Sequence, residues 1–299
     1  MTTPLRTTID LHSHTARSDG TLEPLALYEA MRDAGIALAA ITDHDTLAGV
    51  EELRVVGLGR EASPDGPRLV PGVEINTVDG GLLDGTEIGR RGGELHVLGL
   101  GVDPQEPALA AALAAQREKR RERIATTLDV LASLDLDVRA DLPSPAGGID
   151  SLGRPHAARA LVKAGYATSV QDAFTRYLDR GQPAYVPRMG IGPREAIEAI
   201  AAAGGVAVLA HPFGAEGEPA IVRTLVDWGL GGLEAYYPTF DDAATGALVA
   251  LAGGLGLLVT GGSDYHGDTM TYAAALTGLH VPVSVADALL AALDTTGAR

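Results

Sequence analysis

Two histidines separated by one residue, His12 and His14, follow a short apolar run near the N-terminus. Residues i and i+2 of a strand project to the same face, so both imidazoles can reach one metal ion. Asp19 follows in the same segment, and His44 follows the next apolar run. One such histidine pair is more often a polar surface feature than a pair of ligands, but its repetition at a second strand end indicates a metal site.

Acidic and histidine side chains also accompany the later apolar runs. Glu74 ends the third run, His96 lies in the fourth, and His211 follows the fifth. Asp264 and His266 follow the seventh. In parallel α/β folds and barrels the C-terminal ends of the strands form one rim, where functional sites assemble. The whole set therefore predicts a site of histidines and carboxylates at that rim.

The composition limits the chemistry further. The chain of 299 residues has no cysteine, so thiolate zinc sites, disulfides and cysteine nucleophiles are excluded and histidines and carboxylates remain as metal ligands. With 39 acidic and 23 basic side chains the formal net charge is -16, which argues against a general polyanion-binding surface. A hydrophobic fraction of 46% is enough for a sizeable core and excludes disorder of the whole chain.

The sequence gives no sign of a membrane or secreted protein. The N-terminus lacks the apolar run of a signal peptide, so we expect a cytoplasmic protein. The uncharged stretch Ala243–Ser263 is about as long as the ~20 residues of a membrane span. Six glycines interrupt it, so it reads as a helix end, a turn and a short buried strand.

Apolar runs and amphipathic stretches alternate along much of the chain, a rhythm typical of a parallel α/β fold. A helix is predicted from Glu23 to Ala34. Seven strands are predicted, at Thr8–Leu11, Leu38–Thr42, Leu69–Val73, Leu95–Gly101, Val206–Leu209, Gly232–Ala235 and Leu257–Thr260. The glycine-rich stretch Thr77–Gly93 is predicted to be a surface loop between two strands.

The alternation breaks between Asp103 and Arg194, where the pattern predicts a helical insertion. Its first helix should run from Pro104 to Leu134, with two more at His156–Gly165 and Val170–Arg180. A charged run, QREKRRER, lies in the middle of the first helix. We interpret this run as a solvated helix face rather than a nucleic-acid contact.

At this level of detail the chain resembles the PHP (polymerase and histidinol phosphatase) family of metal-dependent phosphoesterases. Six motifs occur in order: DLHSHTARSDGT, AITDHDT, PGVEI, LHVLGLGVD, LAHP and GGSDYHG. Within the insertion, GRPHAARALVKAG and VQDAFTRYLDRGQPAYVP are similar to the subgroup that acts on nucleoside monophosphates, 3',5'-bisphosphates and short RNA ends. The resemblance implies a distorted (β/α)7 barrel formed by residues 1–103 and 194–299, with a substrate-capping helical insertion at 104–193.

The family holds up to three divalent ions, so we expect two or three here. The residues that match its ligand positions are His12, His14, Asp19, His44, Glu74, His96, His211, Asp264 and His266. Glu74 or Asp264 could bridge two ions, because the two oxygens of a carboxylate can bind separate metals. Mixed nitrogen and oxygen ligands favour manganese, iron or zinc over calcium or magnesium, and we expect manganese first.

Hydrolysis by direct attack is the expected mechanism. Two ions would lower the pKa of a water held between them, and the resulting hydroxide would attack phosphorus. His156 is a candidate to protonate the ester oxygen, with a helix cap or surface residue as an equal alternative, and Arg154 is a candidate phosphate contact. Arg17, inside the first motif, is a third candidate. The segment His211–Gly214 departs from the His-Pro-Gly-Arg common in the family, so a phosphate-binding arginine is missing there or supplied from elsewhere.

The main functional hypothesis is a phosphoesterase that acts on nucleotides such as AMP and 3',5'-bisphosphates, or on short 5'-phosphorylated RNA ends as an exonuclease. We expect no long nucleic acid and no membrane as partners. Histidinol-phosphate phosphatase and a non-catalytic, metal-stabilised scaffold are the alternatives. A binuclear amidohydrolase-type site with a carboxylated lysine is a more distant one, since the chain's only lysines, Lys119 and Lys163, both lie in the insertion.

Overall fold

A computed structural model of the chain describes residues 7–59, 66–86, 94–143 and 148–296. Seven strands form one sheet in chain order: β1 (Ile9–Asp10), β2 (Leu38–Ile41), β3 (Arg68–Asn76), β4 (His96–Leu100), β5 (Val206–Leu209), β6 (Gly232–Tyr236) and β7 (Leu258–Gly261). All seven predicted strands are present, with ends that differ by a few residues. The sheet nearly closes, because the Leu11 N–H donates to the Gly261 carbonyl at 3.1 Å and the Asp264 N–H to the His12 carbonyl at 2.8 Å. The fold is therefore a nearly closed seven-stranded α/β barrel, which confirms the expected distorted (β/α)7 barrel.

Strand β4 runs in the opposite direction to its neighbours in the sheet. It pairs antiparallel with both β3 and β5, whereas the remaining neighbours in the sheet are parallel. A parallel return from β3 would need a crossover, usually a helix, but the described part of the predicted loop 77–93, residues 77–86, contains only turns. The rest of that loop lies outside the described residues. Because β4 runs backwards, its first residue, His96, lies at the rim where the parallel strands end.

The helices of the described residues include the four that the sequence predicts, with ends that differ by up to three residues. They are α1 (Pro24–Asp33), α2 (Ala48–Val55), α3 (Pro107–Ser133), α4 (Arg154–Lys163), α5 (Val170–Ala173, continued by a π-helical turn at Phe174–Leu178), α6 (Pro193–Ala202), α7 (Pro219–Asp227), α8 (Asp242–Leu255), α9 (Tyr272–Ala275) and α10 (Val283–Thr296). Five of them have proline in the first turn, where its missing N–H costs no hydrogen bond. Helix α8 ends at Gly256 in a left-handed conformation, as expected for a helix end followed by a turn. No helix in the described ranges combines the length and the apolar character needed to cross a membrane.

The long helix α3 passes between two hydrophobic clusters. Leu109 and Leu113, in its first half, belong to the cluster that fills the barrel. Ile124, Leu128 and Leu131, in its second half, belong to a separate cluster with residues between Val138 and Ala184. The charged run 116–123 lies between the two halves, so this part of α3 passes over the barrel rim.

Candidate metal centre

The nine predicted ligands lie together at the barrel rim. They form three overlapping groups whose ligand atoms lie within 4.8 Å of one another: His14, Asp19, His44 and His266; His12, His14, Glu74 and Asp264; and Glu74, His96 and His211. His14 is shared by the first two groups and Glu74 by the last two. Three neighbouring groups that share ligands match the two or three ions that we expect.

The Glu74 carboxylate lies at the centre of this cluster. Its Oε2 lies 3.3 Å from Nε2 of both His12 and His14, while its Oε1 lies 2.8 Å from Nδ1 of His96 and 3.1 Å from Nε2 of His211. On the other side of the same two histidines, Asp264 Oδ1 lies 3.3 Å and 3.1 Å from their Nε2 atoms. The two oxygens of Glu74 thus face different groups, which is the geometry that a bridging carboxylate needs.

Several buried atoms of the cluster have no hydrogen-bond partner in the described part of the chain. They include His12 Nε2, both ring nitrogens of His14, Asp19 Oδ1, Glu74 Oε2, His96 Nε2 and Asp264 Oδ1. Burying a polar atom without a partner costs free energy, so native proteins rarely leave several together. Divalent cations would satisfy these atoms, and a donor set of nitrogen and oxygen fits them.

Hydrogen bonds orient the ligand atoms towards the centre. His12 Nδ1 lies 3.1 Å from Oε1 of the buried Glu234, and His266 Nδ1 lies 2.9 Å from the Asp264 carbonyl. If each Nδ1 donates, the Nε2 atoms carry the lone pairs that face the centre. Tyr237 donates its hydroxyl to Asp264 Oδ2 at 2.8 Å, which leaves Oδ1 for a cation.

The backbone of the rim is strained where ligands must point inwards. Asp264 has a φ of 49° and His211 a φ of 28°, values that residues with a side chain rarely adopt. Gly262 lies so close to His12 that a Cβ would be 2.4 Å from the His12 backbone nitrogen. The GGSDYHG motif therefore needs glycine at this position for β7 to approach β1.

Without bound metal ions, the pKa values of the ligand side chains are set by burial and by the opposite charges packed around them. Burial favours the neutral form of Glu74, but the neighbouring imidazoles of His44, His12 and His96 outweigh it and hold the pKa of this carboxyl well below its usual range. Burial likewise opposes the charge of His266, yet Asp264 and Asp19 raise its pKa to about 10. For His44 burial dominates and lowers the pKa to about 4. A metal ion that binds must therefore displace protons from histidines whose pKa the neighbouring carboxylates raise.

The aspartates that flank His44 serve as structural anchors. Asp43 accepts hydrogen bonds from the Thr15 N–H at 2.7 Å and from the hydroxyls of Thr15 and Ser18 at 2.6 Å each. Asp45 accepts from the Asn76 N–H at 3.1 Å and forms an ion pair with Arg120 at 3.1 Å. Both carboxylates thus fix the loops that carry ligands.

A cavity of about 190 Å³ opens beside the cluster. Asp19, His44, His96 and His266 line it on the side of the centre, and most of its other lining residues come from the segment 116–189. Its basic side chains are Lys119, Arg120, Arg123, Arg154 and Arg188, and its acidic ones besides Asp19 are Asp45 and Glu94. We refer to this space as the arginine cavity.

Glu94 only partly neutralises the arginine cavity. It pairs with both Arg154, at 3.3 Å, and Arg188. Arg188 Nε and Arg123 Nη2 are buried and have no partner in the described residues. Burial, together with the charges of Arg154 and Arg188, lowers the pKa of Arg123 to about 9. A dianion entering the cavity would find donors and positive charge already in place.

The structure places the three predicted catalytic residues differently. Arg154 lines the arginine cavity. His156 is buried, and its Nδ1 accepts a 3.0 Å hydrogen bond from the Gly153 N–H, which caps α4. Arg17 forms ion pairs with Glu23 and, at 2.9 Å, with Glu52, and it does not line the cavity. A contact between Arg17 and substrate stays a prediction.

The interpretation of the charged run as a solvated helix face is wrong for one side of α3. Gln116 and Arg123 are buried, and Arg120 hydrogen-bonds Asp45 and the Leu152 carbonyl. The spacing 116, 120, 123 places these side chains on one helix face, a signal present in the sequence. Glu234 was also missed, although a glutamate inside the apolar strand β6 is unusual enough to point to a buried role.

Comparison with known proteins identifies similar chains, although no protein-family model matches. The chain is 37% identical over 213 residues to the 5'-3' exoribonuclease Rnm of Escherichia coli, with 68% of this chain and 64% of that protein's length covered. It is 33% identical over 271 residues to a 3',5'-nucleoside bisphosphate phosphatase of Chromobacterium violaceum, covering 86% and 87%. A crystal structure of a metal-dependent phosphoesterase from Bifidobacterium adolescentis superimposes with a TM-score of 0.75 at 29% identity, covering 95% and 96%.

Proposed function

The chain belongs to the PHP family of metal-dependent phosphoesterases, and we propose that it hydrolyses phosphate esters of nucleotides that carry two phosphate groups. The proposed substrates are nucleoside 3',5'-bisphosphates and the 5'-phosphorylated ends of short RNAs, with AMP as a poorer substrate. The relatives named as a bisphosphate phosphatase and a 5'-3' exoribonuclease support nucleotides over histidinol phosphate.

The nine rim residues would hold two or three divalent ions, and manganese is the first choice, ahead of iron and zinc. Such ions supply Lewis-acid activation of water and of the phosphate. Glu74 would contribute one oxygen to each of two neighbouring positions, since its oxygens face different histidines. Glu234 would keep His12 oriented, and Tyr237 would do the same for Asp264.

One observation carries the proposal: the arginine cavity adjoins the candidate metal centre and shares four of its residues. Two anion-binding features side by side fit a substrate with two phosphate groups. A nucleoside 3',5'-bisphosphate and the first nucleotide of a 5'-phosphorylated RNA both have a ribose between two phosphates. Histidinol phosphate has one phosphate and a positively charged remainder, which the arginines would repel.

A single binding mode then accounts for both substrates. Arg154 and Arg188 would hold the 5'-phosphate, and the phosphate on the 3'-oxygen would lie at the metal centre. The oxygen of water forms a bond to phosphorus, the bond from phosphorus to the 3'-oxygen breaks, and the 3'-oxygen takes a proton. The products are a nucleoside 5'-phosphate and either inorganic phosphate or a shortened RNA.

We propose that His156 assists the leaving oxygen; it follows Arg154 and Pro155, which line the arginine cavity, but is not itself among the lining residues. Because its Nδ1 accepts from Gly153, the neutral ring carries its proton on Nε2. Burial lowers the pKa of His156, which favours that neutral form. We assign to this Nε2–H the donation of a hydrogen bond to the 3'-oxygen, and to the insertion 104–193 the capping of the bound nucleotide.

The test is a comparison of substrates with the manganese-loaded protein. Phosphate and nucleotide release are measured for adenosine 3',5'-bisphosphate, AMP, a 5'-phosphorylated dinucleotide and histidinol phosphate, with a chelator-treated sample as control. We expect the highest kcat/KM for adenosine 3',5'-bisphosphate. Both the bisphosphate and a dinucleotide whose first nucleoside is adenosine should release AMP. Chelation should abolish all activity. Preference for histidinol phosphate, or metal-loaded protein inactive on the whole panel, would contradict the proposal.

A further inference from the structure

Three aromatic side chains, one exposed and two partly buried, form a cluster next to the candidate metal centre. Phe213 is 50% exposed, although its ring lies 5.0 Å from that of Phe240 and 5.6 Å from that of Tyr237, both nearly perpendicular to it. Tyr237 and Phe240 also contact each other, with ring centres 5.2 Å apart. We refer to these three residues as the aromatic shelf.

The aromatic shelf is joined to the metal centre through different residues than the arginine cavity. The rings of Phe213 and Tyr237 lie 6.1 Å and 5.8 Å from the ring of His211, and Tyr237 donates to Asp264. Neither His211 nor any shelf residue lines the arginine cavity among the residues described. A phosphate at the metal centre would therefore have the cavity on one side and the shelf on another.

The backbone presents the exposed ring in a fixed position. The Phe213 N–H donates to the His211 carbonyl at 2.7 Å, and the Ala215 N–H donates to the Pro212 carbonyl at 3.0 Å. Gly214 has a φ of 80°, a left-handed conformation that suits glycine. The ring therefore offers a preorganised apolar face, and preorganisation reduces the entropy that a ligand must overcome on binding.

We propose that the aromatic shelf stacks the base of the second nucleotide of a short RNA substrate. The inference rests on the proposed function, in which the first nucleotide occupies the arginine cavity and its 3'-phosphodiester lies at the metal centre. The second nucleotide keeps the phosphate after cleavage, so its base extends from the metal centre outside the cavity. Stacking on an aromatic ring tolerates any base, because every base has a π-face.

The charge around the aromatic shelf limits it to one base. Asp241 and Asp242 follow Phe240 directly, and the chain as a whole carries a formal net charge of -16. Further phosphates would meet this negative surface without the basic groups that long RNA requires. A 5'-phosphorylated dinucleotide and a longer oligonucleotide should therefore have similar kcat/KM.

The experiment measures the ratio of kcat/KM for a 5'-phosphorylated dinucleotide to that for adenosine 3',5'-bisphosphate, which has no second base. Phe213→Ala should lower this ratio about tenfold, a typical loss for one stacked base. Phe213→Trp should retain it. Leu25→Ala is the matched control and should leave the ratio unchanged, since Leu25 is 49% exposed on α1 and belongs neither to the aromatic shelf nor to the lining of the arginine cavity.

A second substrate makes the test independent of protein folding. With the wild-type protein, a dinucleotide whose second nucleotide lacks its base should show the same tenfold loss as the Phe213→Ala variant. A wild-type enzyme inactive on both substrates would overturn the proposed function. Activity on both, with a ratio unchanged by Phe213→Ala and by removal of the base, would overturn the shelf as a base-binding site, as would an equal loss on both substrates.

Discussion

The candidate metal centre and the arginine cavity lie against each other, yet the chain builds them by different means. The nine residues of the centre come from loops and strand ends of the barrel, where backbone topology gathers them. The basic residues of the cavity come from α3, from the start of α4 and from the segment before α6. The difference separates two tasks: the barrel would supply the hydrolytic chemistry, and the insertion would select the substrate.

The two regions also have opposite electrostatics. Carboxylates hold the pKa values of the histidines at the metal centre above their usual range, against the effect of burial: Glu234 and Asp264 act on His12, Asp264 and Glu74 on His14, and Glu74 on His96. In the arginine cavity the pKa values of Arg123 and Arg188 are lowered, first by burial and then by neighbouring basic groups. One region thus attracts cations and the other attracts anions.

Loss of Glu74 should have the largest effect on activity, and it should act on the metal centre of the barrel without changing the arginine cavity. We expect Glu74→Gln to lower kcat by about 100- to 1,000-fold on every substrate, because an amide cannot supply two anionic oxygens to the centre. Metal content measured by mass spectrometry should fall in parallel. Glu118→Gln, at an exposed position of α3, is the control. Full activity of Glu74→Gln would refute the central role of this carboxylate.

His156→Ala tests whether the insertion takes part in the chemistry. We expect turnover to fall by about 100-fold, the lower limit for loss of a group that assists proton transfer, with metal content intact. Because the same ring caps α4, circular dichroism and melting temperature must accompany the kinetics. Unchanged turnover would restrict His156 to the helix cap.

Arg154→Met separates substrate selection from hydrolysis. The variant should raise KM for adenosine 3',5'-bisphosphate by about tenfold, since hydrogen bonds between charged groups contribute roughly 1.5–3 kcal/mol and part of this is recovered by Arg188. AMP, which offers a single phosphate, should lose less, and metal content should not change. Arg121→Met on the exposed side of α3 is the matched control. An equal rise in KM for both substrates would contradict a role of Arg154 in selecting the second phosphate.

The smallest expected effect concerns the stability of the metal-free protein. A pKa of His266 raised to about 10 contributes stability that is complete below its unfolded value of about 6.5 and is lost as pH rises through 10. The chelated protein should therefore melt a few degrees lower at pH 10 than at pH 7, as measured by calorimetry. The metal-loaded protein should lose less, because its histidines are already deprotonated. An equal loss in both forms would contradict this explanation.

The barrel and its rim could be predicted from the sequence because local spacing determines them. The pair His12 and His14 follows β1, Glu74 lies near the end of β3, and His211 lies two residues after β5. The direction of β4 was not evident, since the apolar run alone does not reveal whether a strand runs parallel or antiparallel. Its reversal explains why His96 begins its strand while the other ligands lie at or beyond strand ends.

The arginine cavity could not be predicted because it depends on contacts between distant segments. Glu94, just before β4, pairs with Arg154 and Arg188 from much later in the chain, and no local pattern predicts these pairs. The family's phosphate-binding arginine is absent from the segment His211–Gly214. Arg154 and Arg188 lie where they could replace it, but only the tertiary structure brings them to the metal centre. The nine metal ligands, the boundaries of the insertion, manganese and a cytoplasmic location remain predictions.

Helix α3 imposes a rule on how this chain can change in length. Leu113 packs in the barrel core and Ile124 in the core of the insertion, and a continuous helix joins them. Each residue of an α-helix turns by about 100°. Deleting one residue between Leu113 and Gln116 would rotate Arg120 and Arg123 out of the cavity and Ile124 out of its core together. Insertions and deletions should therefore be tolerated in the loops around α3 but not within this part of it.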